Sequence, residues 1–294
     1  MFVNAIEEIN RFTRPIHTIM RTYGSSKVFP GASTLFFVND EGVAITCRHV
    51  AEQILQSEKI NQQYLLFTQS RFRLNKDENY ESNIKELELS NKYTPETVIQ
   101  AKHFFADCFD KISGYECFIH PLVDLAIIKF KGFSQKYYHN YARFIADDQM
   151  AKPGRMMCRS GYPFPEFSNY TYNYQKDDIE WTREGNPRTP SFPIEGIITR
   201  LIKQHGLISG IELSSPGLRG QSGGPLFDPA GLVYGMQSST RHLHLGFDLE
   251  NHEIPNGPSS KRVTNTPFLH VGQCVHVGII KNFLREHHIN FYEG

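Results

Sequence analysis

The sequence predicts an all-β protein folded as two barrels, and three observations predict it. Short β-rich runs punctuated by glycine recur through both halves of the 294-residue chain, long helical patterns are few, and a polar bridge at 135–149 separates two stretches that are each long enough to bury a core. The regular strand–helix alternation of a parallel α/β sheet does not run through the chain.

At the start, Phe2, Val3, Ile6, Ile9, Phe12, Ile16, Ile19 and Met20 fall at helical spacing interrupted by Pro15, so 1–23 reads as an amphipathic helical arm. A first barrel is expected over 24–134. Residues 32–38 form a strand, the Asn-Asp-Glu-Gly at 39–42 a turn and 43–46 a second strand that runs into a helical turn over 48–54. A further strand fits 64–68. Residues 75–113, rich in Asn, Lys and Glu with helix-like spacing around 97–112, read as an insertion, and strands return at 115–119 and 123–130. The bridge at 135–149 reads as a linker. A second barrel follows over 150–294, with strands near 155–160, 196–202, 207–213, 232–237 and 269–277. It also has a Pro- and aromatic-rich loop over 161–193, a polar loop over about 240–266 and a closing helix over 279–287.

Thirty-one Lys+Arg balance 31 Asp+Glu, which leaves no strong field to attract nucleic acid or anionic lipid. No apolar run approaches the ~18–20 residues of a membrane helix, and the acids in the first eight residues are unlike a secretory signal. The five cysteines are odd in number, scattered and without a C-x-x-C pair, so neither a disulfide framework nor a zinc ribbon is expected. A cytoplasmic protein with reduced thiols, partnered by neither nucleic acid nor membrane, follows from these features.

Chemistry concentrates in three places. Gly220-Gln-Ser-Gly-Gly-Pro225 describes a tight turn whose successive N–H groups can face one side beside the Ser222 hydroxyl, a nest suited to an oxyanion; taken alone, an ordinary glycine turn fits as well. The same letters satisfy the G-x-S-x-G elbow of an α/β-hydrolase esterase, but that needs a helix after the serine, and Pro225-Leu-Phe-Asp-Pro-Ala-Gly reads as a turn between strands. His49 opens a helical turn after an apolar strand, where the helix dipole disfavours the charged ring and keeps a general base neutral. Asp124 heads the apolar strand Pro121-Leu-Val-Asp-Leu-Ala-Ile-Ile-Lys129, where its charge needs hydrogen-bond partners. Singly, a structural histidine and a capping aspartate are the plainer readings.

Together, the order His49, Asp124, Ser222 at separations of 75 and 98 residues resembles the trypsin-like (chymotrypsin-fold) serine peptidases. Gly31-Ala-Ser-Thr-Leu-Phe-Phe-Val with Ala44-Ile-Thr-Cys-Arg-His-Val is similar to that family's strand pair leading to histidine. His120-Pro-Leu-Val-Asp-Leu-Ala-Ile-Ile-Lys is similar to its aspartate strand, and Gly220-Gln-Ser-Gly-Gly-Pro-Leu to its serine turn. Gly161-Tyr-Pro, Gly196-Ile-Ile and the region from Gly272 to Leu284 resemble bacterial and HtrA-type members, and no appended peptide-binding domain is expected. Gln221 stands where animal trypsins carry the acid that pairs with a new N-terminus, and Cys47 has no obvious disulfide mate, so activation by that route is not expected.

The resemblance implies two six-stranded antiparallel β-barrels of chymotrypsin type and an intracellular endopeptidase with narrow or partner-regulated specificity that needs no cofactor or metal. Its implied roles are Ser222 as nucleophile, His49 as base, Asp124 as orienting acid, and the amides of Gly220 and Ser222 as oxyanion hole. Ser238 would support the aspartate, Ser239 and Thr240 would continue an edge for a protein or peptide substrate, and Pro216 would floor the primary pocket. With no aspartate there, small or apolar side chains are the first expectation; Arg241-His-Leu-His244 could instead attract an acidic one. The alternatives are a catalytically silent peptidase-like module that binds a partner protein, and the esterase.

Overall fold

The computed structural model describes residues 1–204, 206–256 and 259–294. Helix α1 (Val3–Asn10) buries Ala5 and Ile9. The helical arm expected over 1–23 ends there, because Thr13–Thr22 is strand β1. It is buried along nearly its whole length and so carries no period-2 signature, and Pro15 sits where β1 has one neighbour only, beyond the β4 pairing that begins at Ile16.

Strands β2 (Phe29–Phe37) and β3 (Val43–Thr46) form the expected hairpin. The helical turn after β3 is in fact α2 (Arg48–Phe72), which absorbs the strand expected at 64–68. Tyr64 and Phe67 extend the buried stripe of Val50, Ala51, Ile54 and Ser57, while Leu65 and Leu66 face solvent. After α3 (Tyr80–Ser90), which buries no residue, the helix-like spacing near 97–112 proves to be strand β4 (Val98–Phe105). One face of β4 is covered by α2, where the Asn61 side chain exchanges two hydrogen bonds with the Ala101 backbone, at 2.8 and 2.9 Å. The stretch read as an insertion over 75–113 therefore holds α3 within the helical excursion between β3 and β4, and then a strand of the sheet itself. Strands β5 (Gly114–Ile119) and β6 (Ala126–Lys131) complete an antiparallel sheet in the order β4-β1-β2-β3-β6-β5. Among the described residues its edge strands β4 and β5 do not pair, so the first barrel is a curled, open one.

The second half contains β7 (Arg143–Phe144), β8 (Met156–Arg159), the hairpin β9 (Tyr170–Asn173) and β10 (Asp178–Trp181), β11 (Ile194–Gln204), β12 (Leu207–Leu213), β13 (Pro225–Phe227), β14 (Val233–His244), the hairpin β15 (Leu249–Asn256) and β16 (Ser259–Asn265), β17 (Phe268–His276), α4 (Val277–Glu286) and β18 (Tyr292–Glu293). The pairing β13-β8-β11-β12-β17-β14 closes on itself through β13 and β14, giving a ring of six strands. The polar loop expected over 240–266 is largely strand, because β14 runs on to His244 and a hairpin follows; residues 257 and 258 lie outside the described residues. The expected linker at 135–149 is pinned rather than free: Tyr138, Ala142 and Phe144 are buried in one apolar cluster that both sheets share.

Candidate active site

The β3–β6 register sets Thr46 opposite Ala126, which brings the segments carrying His49 and Asp124 side by side. His49 is the second residue of α2 and Asp124 lies in the turn before β6. The Asp124 carboxylate receives the His49 amide at 3.0 Å on Oδ1, the His49 ring Nδ1 at 3.0 Å on Oδ1 and 2.9 Å on Oδ2, and the Ser238 hydroxyl at 2.6 Å on Oδ2. This network assigns the proton to Nδ1 and leaves Nε2 as the basic nitrogen. Burial pushes the Asp124 carboxyl up, but the hydrogen bonds from the His49 ring, Ser238 and the His49 amide outweigh it and hold the group at about 2. The reciprocal hydrogen bond raises the His49 ring, so the dipole-lowered value expected from sequence is overridden by the carboxylate.

Ser238 reaches Asp124 because β14 is irregular between Gln237 and Ser239, which face Cys274 and Gln273 of β17 in turn; Ser238 is the extra residue of that bulge. Up to Met236, β14 is paired on both sides. Gln237 still exchanges backbone bonds with Gly223 and Gly224; beyond it, among the described residues, only β17 pairs with the strand, so Ser238, Ser239 and Thr240 lie on an edge. Part of that edge is occupied from within: Gln237 Nε2 donates to Ser239 O at 2.8 Å and Thr240 Oγ1 to Gly217 O at 2.7 Å.

The serine turn is shaped by glycines. Gly220 and Gly223 have φ of +96° and +88°, and a Cβ on Gly223 would lie 2.0 Å from the Thr34 carbonyl oxygen. The first sheet holds this turn through Thr34, whose N–H donates to Ser222 O at 2.9 Å and whose hydroxyl donates to Gly220 O at 2.7 Å; Thr46 Oγ1 in turn donates to Thr34 O. Sequence reasoning missed both threonines in this role; the only signal was their place in the two quoted strand motifs. Gln221 is fully buried, donating to Phe192 O and accepting from the Leu218 amide, so it braces the turn from inside. Strand β13, not a helix, follows the serine, which removes the structural basis for the esterase elbow.

Ser222 shares Ser238 with the His49–Asp124 pair, but its hydroxyl donates to Ser238 O at 3.4 Å. Among the described residues it makes no hydrogen bond to His49, and the amides of Gly220 and Ser222 have no acceptor. The Pro216 carbonyl accepts from Arg159 Nη2 at 2.9 Å. Of the basic run beyond the edge, His242 pairs with His270 and His244 with Asp248. Among the described residues, Cys47, His49 and Asp124 are the group whose donor atoms, within 4.8 Å of one another, could share a metal ion. All three donor atoms already have partners, Cys47 Sγ on Gln237 O at 3.2 Å.

The family model described as "Trypsin-like peptidase domain" matches residues 33–236, more than two thirds of the chain. No curated protein matches. Similar solved structures include the HtrA-type protease AlgW with tripeptide, at 13% identity and a TM-score of 0.47 over 98% of this chain and 65% of that one. The same protease with decapeptide gives 12%, 0.47, 97% and 67%. A variant of it with tripeptide gives 13% and 0.48, and there the chain spans 63% of the other's length.

Proposed function

The chain belongs to the trypsin-like peptidase domain family, and from that premise we propose that it is a serine endopeptidase with Ser222 as nucleophile, His49 as general base and Asp124 as the orienting carboxylate. The observation that carries this reading is the Asp124 carboxylate itself, gripped by the ring and amide of His49 and by Ser238, whose carbonyl receives the Ser222 hydroxyl. Turning about χ1, Ser222 Oγ would leave Ser238 O for His49 Nε2, lose its proton there and attack a peptide carbonyl. His49 then returns the proton to the leaving amine, and water repeats the cycle on the acyl-enzyme. The acceptor-free amides of Gly220 and Ser222 are suited to the oxyanion, each such donor contributing about 3–4 kcal/mol in related chemistry. A substrate adds as a strand along 238–240.

A fluorophosphonate that labels active-site serines tests this: wild type should be labelled and Ser222→Ala should not. A second reading, a silent binding module, is favoured by the Ser222 hydroxyl lying off His49; absence of labelling under all conditions would establish it. Activity under the control of a protein partner fits the same resting geometry. The intracellular setting belongs to the proposal too, supported by five free cysteines, four of them buried; fractionation of the source cells tests it. Among the described residues, no helix is long and apolar enough to cross a membrane.

A further inference from the structure

Arg159, the last residue of β8, is the largest side chain wholly removed from solvent among the described residues, at 0% exposure. Its Nη1 donates to Gln237 Oε1 at 2.6 Å, and its Nη2 to Ser215 Oγ, Pro216 O and Ser215 O at 2.8, 2.9 and 3.0 Å. Nε is buried with no partner. Every acceptor is neutral, and among the described residues no carboxylate stands within ion-pair distance. The buried acid Glu212, on β12 two strands away, is committed to Arg200 at 2.6 Å. A guanidinium stays charged in a protein interior, so a buried one held only by neutral groups is a costly arrangement that an incoming anion would relieve.

The position of this charge is informative. Three of its four acceptor atoms belong to Ser215 and Pro216, in the segment leading to the serine turn. The fourth belongs to Gln237, which is bonded into that turn: its N–H donates to Gly224 O and its carbonyl accepts from Gly223 N. Arg159 therefore lies beneath the place where 215–217 meets 237–240, where the Thr240 hydroxyl donates to Gly217 O and the Ser222 hydroxyl to Ser238 O. Glycines make room for the Arg159 and Gln237 side chains. A Cβ on Gly272 would lie 2.0 Å from Arg159 Nη1, and one on Gly217 2.2 Å from Gln237 Nε2.

We propose that Arg159 is the specificity-determining cation of this site, and that the substrate side chain on the acyl side of the bond to be cut enters between 215–217 and 237–240 and is acidic. This rests on the peptidase reading and deepens it. The substrate carboxylate takes the place of Gln237 Oε1 on the guanidinium, Gln237 swings off Arg159 and Ser239 O, and the Ser215 hydroxyl rotates to donate to the newcomer. The small or apolar preference expected from Pro216 is replaced, because what matters there is the cation beneath the Pro216 carbonyl rather than the proline ring. The exposed run 241–244 is not needed for the selection.

The test separates selectivity from catalysis by measuring binding to Ser222→Ala, using calorimetry with N-acetylated tetrapeptides that differ only in a C-terminal Glu, Gln, Leu or Lys. The Glu peptide should bind at least tenfold more tightly than the Gln peptide. Gln237→Glu in the same background supplies a countercharge on the same atoms without changing shape. With its folding verified by thermal unfolding, it should erase the preference, as should Arg159→Met if that variant folds. Equal binding of Glu and Gln peptides, tighter binding of Leu or Lys, binding of none, or a preference that survives Gln237→Glu would overturn the assignment. Labelling of wild type by the fluorophosphonate together with any of those results would leave the peptidase reading standing alone; acid-selective binding without labelling would do the reverse.

Discussion

The His49–Asp124 half of the site comes from an open sheet, and the Ser222 half from a closed ring of six strands; the two are held by different forces. On the first side, one carboxylate gathers the His49 ring, its amide and the Ser238 hydroxyl, so the arrangement depends on charge. On the second, the positive-φ glycines Gly220 and Gly223 press against the Tyr162 and Thr34 carbonyls on either side of the buried Gln221, and the arrangement depends on volume and backbone bonding. An electrostatic assembly responds to pH, whereas a steric one responds to a single methyl group. That contrast can be broken from either side.

The largest effects remove the reacting groups. Ser222→Ala and His49→Ala should each cut kcat by about 10⁴-fold or more, the first with little change in thermal stability and the second at about 1 kcal/mol for the hydrogen bond lost from Asp124. Hydrolysis of a peptide ester read alongside unfolding temperature checks this. A His49→Ala enzyme that keeps most of its turnover would remove the histidine from the mechanism. Next comes Gly223→Ala. The methyl group meets the Thr34 oxygen at 2.0 Å in a backbone conformation that L-residues resist, so activity should fall by ~10³-fold and stability by about 3 kcal/mol, roughly 10 °C in Tm.

These two predictions rest on parts of the molecule that the sequence made legible to different degrees. His49, Asp124 and Ser222 stood out as polar groups beside apolar strands or in a glycine turn, where burial demands a partner, and Ser238 came from the family resemblance alone. β1 could not, since Ile16, His17, Thr18 and Ile19 are all buried and a strand covered on both faces has no alternation to read. The run at 64–68 is short and apolar and looks like a strand, yet its exposed Leu65 and Leu66 belong to the outer side of a 25-residue helix. Thr34 and Arg159 were invisible for another reason: their roles depend on which distant carbonyls the folding of the two sheets brings to them.

The charged half should answer to pH, and both signs can be worked out. Asp124, held at about 2, contributes stability that is present above the ordinary carboxyl range and lost as pH falls through about 2, worth about 2 kcal/mol in all. His49 is raised, so its contribution is complete below about 6.5 and is lost as pH rises through the folded value, while the base it supplies becomes active over that same interval. We expect the acid limb of the kcat/KM profile above pH 6.5 in wild type. In Asp124→Asn it should move down, with kcat reduced by ~10³–10⁴-fold and the acid-range stability change abolished. An unmoved limb would mean that another group controls the ionisation.

Ser238→Ala carries the smallest effect and separates the two forces most sharply. Its hydroxyl donates to Asp124 Oδ2 at 2.6 Å from the bulge in β14, without touching the imidazole. Removing it takes one donor from the carboxylate and leaves the His49 contacts, at a cost of about 1 kcal/mol in stability, and kcat should fall by about five- to tenfold with KM little changed. A carboxylate with fewer donors is a stronger acceptor for the Nδ1 proton, so the acid limb should move up, opposite to its shift in Asp124→Asn. Ser238→Thr, which keeps the hydroxyl, should restore the wild-type limb if the bulge accommodates the added methyl. If the limb moves down in Ser238→Ala instead, the serine acts by positioning Asp124 rather than by sharing its charge. The first half of the site would then be governed by packing, as the second half is.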